Sequence, residues 1–189
     1  MAAKRLDAIA LLKADHRKVE DLFAKFESAK GADRKAKLAQ EICTELTVHT
    51  TIEEEIFYPA CKGKIEEDLL AEAYVEHDGA KVLLGEIEVG NLDGEFYDAK
   101  VKVLSEQIKH HVKEEERRAE GMFAEAKAAG LPMDDLGDRM AARKKELLAE
   151  IKKSGLQAPQ TRTFIGSPLK HNTGAGAKDT AIVAAMALR

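Results

Sequence analysis

Two short stretches decide how this chain reads: His49-Thr50-Thr51-Ile52-Glu53 and His111-Val112-Lys113-Glu114-Glu115. Each sets an imidazole and a carboxylate four residues apart, which places both on one face of an α-helix. Each is preceded by a lone histidine at nearly the same interval, since 49−16 = 33 and 111−77 = 34. The flanking apolar residues confirm the helical period. Leu38, Ile42, Leu46 and Ile56 fall in register with His49, and Val101, Leu104, Ile108 and Met122 with His111.

Working outward, the same period covers most of the chain. Leu6, Ile9, Leu12, His16, Val19, Phe23 and Phe26 form one stripe over residues 5–29. Gly31 ends that helix and Asp33 offers a fresh N-cap for a second, over 33–62, that Pro59 should kink or terminate. Leu70, Ala73, His77, Leu84 and Ile87 mark a third over 65–89. Gly90 to Gly94 is a loop with Asp93 as a candidate cap, and a fourth helix runs over 94–128. After Gly130-Leu131-Pro132 comes a shorter charged helix over 133–153, and from Pro159 onward Thr, Gly, Pro and Ser dominate. No alternating Val/Ile/Thr run is bounded by tight turns. The expected architecture is all-α: an up-down-up-down four-helix bundle over 1–130, an additional helix over 131–155, and a loosely ordered C-terminal arm over 156–189. His171, in that arm, reads as incidental.

Depth in the bundle brings the histidines together. With turns near residues 32, 63 and 93, His16, His49, His77 and His111 all fall within about one helical turn, ~5 Å, of a common level. His110 and His111 are adjacent, and His111 is the one that shares the apolar stripe, which leaves His110 facing outward. A lone inward histidine is more often a hydrogen-bonded core residue. Four at one height, with two glutamates, read instead as a metal site made of His16, His49, Glu53, His77, His111 and Glu115. Burying two carboxylates is costly unless positive charge compensates. Four imidazoles and two carboxylates divide into two histidines per ion with both glutamates bridging. Imidazole suits iron, zinc or copper and carboxylate adds hard oxygens that can bridge two ions; redox iron or manganese fits better than structural zinc, which favours closed four-ligand sites. Glu54, Glu55, Glu114 and Glu116 flank these positions and read mostly as solvated, with entry of one into the coordination sphere as the alternative. Glu20 reads as solvated and Tyr74 as core, with an approach to the site as the alternative for each. Phe23, Phe26, Phe57 and Met122 read as core.

Composition narrows the rest. With 189 residues, 44% hydrophobic and 34% charged, the chain suits one domain of amphipathic helices. A net charge of −4 argues against nucleic acid as the main partner. No apolar run reaches the ~18–20 residues of a membrane span, and the N-terminus lacks a signal-peptide core, so a cytoplasmic location is expected. Cys43 and Cys61 lie roughly 27 Å apart on one helix, beyond disulfide reach, and read as reduced thiols.

The combination Asp15-His16, His49-x-x-x-Glu53 followed by Ile56-Phe57-Tyr58-Pro59, Glu76-His77 and His111-Val112-x-x-Glu115 resembles the hemerythrin-like, or HHE cation-binding, domains over about residues 5–127. The resemblance implies a non-haem centre of two iron ions, bridged by oxo or hydroxo and by Glu53 and Glu115, with manganese and zinc ranked below iron. His16 with His49 would terminate one side and His77 with His111 the other. Oxygen-carrying members use a fifth histidine four residues from another on the third helix, where this chain has Ala73 and Lys81. The last pair is His-x-x-x-Glu rather than His-x-x-x-x-Asp. The resemblance therefore points to binding of, or reaction with, O2, peroxide or NO rather than reversible oxygen carriage. The alternative is an iron- or oxygen-responsive module whose C-terminal segment engages a second copy or another protein. Weak peroxidase or oxidase turnover ranks third.

Overall fold

The computed structural model describes residues 5–164, all of whose regular structure is helical. Helix α1 spans Ala8–Ser28, α2 Ala32–Ile52, α3 Tyr58–Cys61, α4 Glu67–Glu88, α5 Tyr97–Glu115, α6 Met122–Ala128 and α7 Met133–Ser154. Between α2 and α3 the helix continues as a π turn over Glu53–Phe57. Contacts between α1 and α2, α2 and α4, α4 and α5, and α5 and α1 close a ring of four long helices. A 21-residue helix such as α1 is about 30 Å long, whereas the link through residues 29–31 reaches ~3.5 Å per residue at most. Packed neighbours joined so briefly must run antiparallel.

Local chemistry sets the ends. Asp7 caps α1 by accepting the amide of Ala10 at 2.7 Å. Gly31, at φ +91°, occupies the position before α2. Asp33 therefore sits in the first turn of α2 rather than at its cap, and α5 starts at Tyr97 with no side-chain cap, so Asp93 does not serve as one.

The fourth helix departs from the expected 94–128. It stops at Glu115, and the chain turns through Glu116–Gly121 before α6 begins. A Cβ at Gly121 would lie 2.6–2.7 Å from backbone atoms of Arg117 and Glu115, so this tight turn needs glycine. Met122 is buried as expected, but on a separate helix. The second helix also differs. Tyr58 donates its amide to the carbonyl of Glu53, five residues back, which is the bond of a π turn. Pro59 follows in the first turn of α3, where it has no amide to contribute.

Two apolar clusters fill the bundle on either side of the histidine level. One is built on Phe23, Phe26, Ile42, Leu46, Leu84, Val101 and Leu104. The other contains Leu12, Ile52, Phe57, Phe123, Leu136 and Met140. Helix α7 lies against α1, α2 and the π turn. It approaches closely because Gly137 has no side chain: a Cβ there would meet the carbonyl oxygen of Leu6 at 2.5 Å. Residues 165–189, including His171 and most of the expected arm, lie outside the described residues.

Candidate metal centre

All six expected ligands are buried in one layer between the two apolar clusters, and none is more than 4% exposed. His16 comes from the middle of α1, His49 from the end of α2, Glu53 from the π turn, His77 from α4, and His111 and Glu115 from the last turn of α5. His110 is exposed, as the apolar stripe predicts.

The ring nitrogens converge. Nε2 of His16 lies 3.2 Å from Nε2 of His49, and Nε2 of His77 lies 3.1 Å from that of His111. Oε2 of Glu53 is 3.1 Å from His49 Nε2 and 3.3 Å from His77 Nε2, and so lies between the two pairs. Glu115 does the same from the other side, with Oε2 3.3 Å from His16 Nε2 and Oε1 3.5 Å from His111 Nε2. Two groups have ligand atoms within 4.8 Å of one another: His16, His49, Glu53 and Glu115, and then Glu53, His77 and His111. Glu53 belongs to both.

The opposite ring nitrogens are held by carboxylates. Nδ1 of His16 lies 2.8 Å from Glu116 Oε1, Nδ1 of His77 3.0 Å from Glu54 Oε1, and Nδ1 of His111 2.7 Å from Glu76 Oε2. A nitrogen facing a carboxylate carries the ring proton, which leaves Nε2 as a bare lone pair aimed at the centre. Glu54 and Glu116 are thus half-buried supports of the imidazoles, not the solvated charges expected of them. Glu55 and Glu114 instead pair with Arg143 and Arg117 near the surface. His49 differs, with Asp15 3.9 Å from its Nδ1 and Lys144 of α7 paired to that aspartate.

Electrostatics mark the centre as short of positive charge. Both oxygens of Glu53, Oε2 of Glu115 and Nδ1 of His49 are buried without a hydrogen-bond partner. Burial, reinforced by Glu115, pushes Glu53 well above the usual carboxylate range. Burial acts on Glu115 in the same sense, but His111, His16 and His49 outweigh it and hold that group low. Burial and the neighbouring His111 push His77 well below the ordinary imidazole value. A buried carboxylate with no donor is costly, and a cation among four Nε2 lone pairs removes that cost. The donor set fits a metal.

Tyr58 was not among the expected site residues, yet its hydroxyl lies 3.1 Å from His77 Nε2 and 3.2 Å from Glu115 Oε1. In an unbroken α-helix Tyr58 would point about 140° away from Glu53. The five-residue closure of the π turn swings it back toward the centre. Phe123, likewise unanticipated, stacks on His16 at 5.9 Å between ring centroids. Tyr74 packs edge-on against Tyr58 at 5.2 Å, as core, and Glu20 pairs with Arg17 near the surface. A small cavity with room for about one water-sized molecule lies between the imidazoles and Val19, Leu46, Ile108 and Val112.

A helical bundle with histidines and carboxylates converging in a buried layer defines a cation-binding protein of the bundle class. The family model for the hemerythrin HHE cation binding domain matches residues 7–123, and the chain belongs to that family. A solved structure, the hemerythrin HHE cation binding domain-containing protein of Mycobacterium kansasii, is 25% identical with a TM-score of 0.66 over 80% of this chain and 95% of that one. A curated relative, a protein of Nostoc sp. named DNA nickase, is 27% identical over 106 residues. That match takes in 56% of this chain but spans only 30% of the relative's length. Among the described residues no helix is long and apolar enough to cross a membrane.

Proposed function

We propose that the chain holds two iron ions in this layer and uses them to bind or react with a small oxidant or diatomic ligand such as O2, peroxide or NO. The observation that carries the reading is Glu53: fully buried, with neither oxygen hydrogen-bonded, and placed between two pairs of imidazole nitrogens. His16 and His49 would hold one ion, His77 and His111 the other, with Glu53 and Glu115 shared. When bound, the iron pair supplies a redox-active centre with positions left for a small ligand.

The protein's own residues limit what can reach it. The apolar wall of Val19, Leu46, Ile108 and Val112 and the small size of the cavity leave no room for an organic substrate. Where oxygen carriers have a fifth histidine, Ala73 is apolar core and Lys81 is bound to Glu54 and Asp78. The Tyr58 hydroxyl stands beside His77 and holds a proton next to Glu115. This favours reaction over reversible carriage.

Metal analysis of protein purified without oxygen after iron-replete expression should give about two irons per chain. Addition of O2, peroxide or NO should then change the near-ultraviolet and visible spectrum, in a window clear of tryptophan, of which the chain has none. Protein that stays colourless and metal-free would overturn the reading.

A further inference from the structure

A relay of polar contacts joins the stretch after α7 to the proposed metal layer. The chain returns along α4, and Pro159 packs over Gly85, 3.6 Å from where a Cβ would stand. Asp78, fully buried and next to His77, then accepts three bonds through one oxygen. They come from the amide of Arg162 at 2.7 Å, the amide of Thr163, and the hydroxyl of Thr163 at 2.8 Å. The Arg162 guanidinium covers the ring of Tyr74 at 4.5 Å. The other Asp78 oxygen takes Lys81 Nζ at 3.2 Å, the same ammonium donates to Glu54 at 2.8 Å, and Glu54 supports His77 Nδ1 at 3.0 Å. The strap at 162–163 lies beyond the matched family region, which ends at residue 123.

We propose that Lys81 and Asp78 are positioning residues that couple docking of the 162–163 strap to cation binding at His77. The inference rests on the metal reading above. Lys81 is the shared element. It is a single buried cation between two carboxylates, one fixing the imidazole and the other fixing the strap. With a cation held at His77 Nε2, the Nδ1 proton would bond Glu54 more strongly, and Glu54 would in turn hold Lys81 in place beneath the strap. Linkage requires the reverse: a docked strap tightens cation binding by the same factor.

Arg162 makes the coupling measurable, because trypsin cleaves after arginine and the following amide is bound to Asp78 when the strap is docked. The full chain is digested with and without added Fe(II), without oxygen, and cleavage at Arg162 is timed by mass spectrometry. Loading should slow that cleavage several-fold. Lys81→Met should abolish the metal dependence and speed loss of iron to a chelator, while Lys81→Arg should restore both. Equal cleavage rates in wild-type protein that binds two irons per chain would overturn the coupling and leave the metal reading standing. Absence of iron binding would overturn both. Should Lys81→Met fail to fold, the wild-type comparison and Thr163→Val, which removes only the hydroxyl bond, still decide. Iron loss from Thr163→Val at the wild-type rate, with unchanged cleavage, would count against the relay.

Discussion

The hydroxyl of Tyr58 donates to Oε1 of Glu115 across 3.2 Å, joining the first residue after the π turn to the last residue of α5. Both helices change course at this contact: one widens just before it and the other ends. Tyr58→Phe removes the donor and keeps the ring against Tyr74 and His77. Loss of one buried hydrogen bond should cost about 1 kcal/mol in urea unfolding. Iron content should stay at the wild-type level while the spectrum of the loaded protein and its rate of reaction with peroxide change. An identical spectrum and rate would remove Tyr58 from the functional account.

Glu53 separates function from stability. Its carboxylate is buried with no donor, so in metal-free protein it is a burden. Glu53→Met should leave the metal-free bundle at least as stable as the wild type, because it removes a buried polar group with no donor, and lower iron content below that of the wild type. A destabilised apoprotein that still loads fully would contradict the assignment of Glu53 as the shared ligand.

His49→Ala should lose one or both metals and lower the melting temperature of the iron-loaded protein toward that of the apoprotein, because ligation contributes directly to folding. His110→Ala is the control. It removes an exposed imidazole that lies 3.6 Å from Glu76, too far for a hydrogen bond, and should leave iron content and melting unchanged.

Cys43 and Cys61 are free and buried, and burial pushes both thiols up to about 12. At pH 8 roughly one in ten thousand would be thiolate, and the thiolate is the reactive form. Iodoacetamide should therefore leave both unmodified in native protein over hours and label both after unfolding, as mass spectrometry would show. Rapid labelling of either in the folded state would place it in a different environment.

Gly137 tests the docking of α7. Alanine is the better helix former by about 1 kcal/mol. Its Cβ, however, would fall 2.5 Å from the Leu6 carbonyl oxygen and 2.8 Å from the Ala8 amide nitrogen, both backbone atoms. The clash should win, and Gly137→Ala should lower stability by about 1–2 kcal/mol. A rise in melting temperature would show that α7 sits farther from α1.

The long helices and the level of the four histidines were legible in the sequence because both depend only on a fixed period and short links. His16, His49, His77 and His111 repeat at matching distances from their turns, and depth follows by counting. Two features were not legible. The π turn arises from one amide choosing a partner five residues back instead of four, and Pro59 marks the region without specifying that choice. The end of α5 at Glu115 is masked because Met122 continues the apolar stripe even though it belongs to another helix. Glu54, Glu76 and Glu116 share a further difficulty. Glu54 and Glu116 read as solvated charges and Glu76 only as part of the Glu76-His77 motif, and only the approach of a neighbouring helix shows that each holds an imidazole.

The placement of the polar layer between two greasy plugs decides where it can meet water. Along the bundle axis, Leu46 and Leu104 close one end and Ile52 and Phe57 the other, all of them 1% exposed or less. The polar groups that reach from this layer toward the surface lie in the seams between helices: Glu76 and Glu116 each hold an imidazole and keep 22% and 19% of the side chain exposed, while Glu54 is closed off by Lys81. Two of the carboxylates that steady the rings are thus also where the buried layer meets solvent.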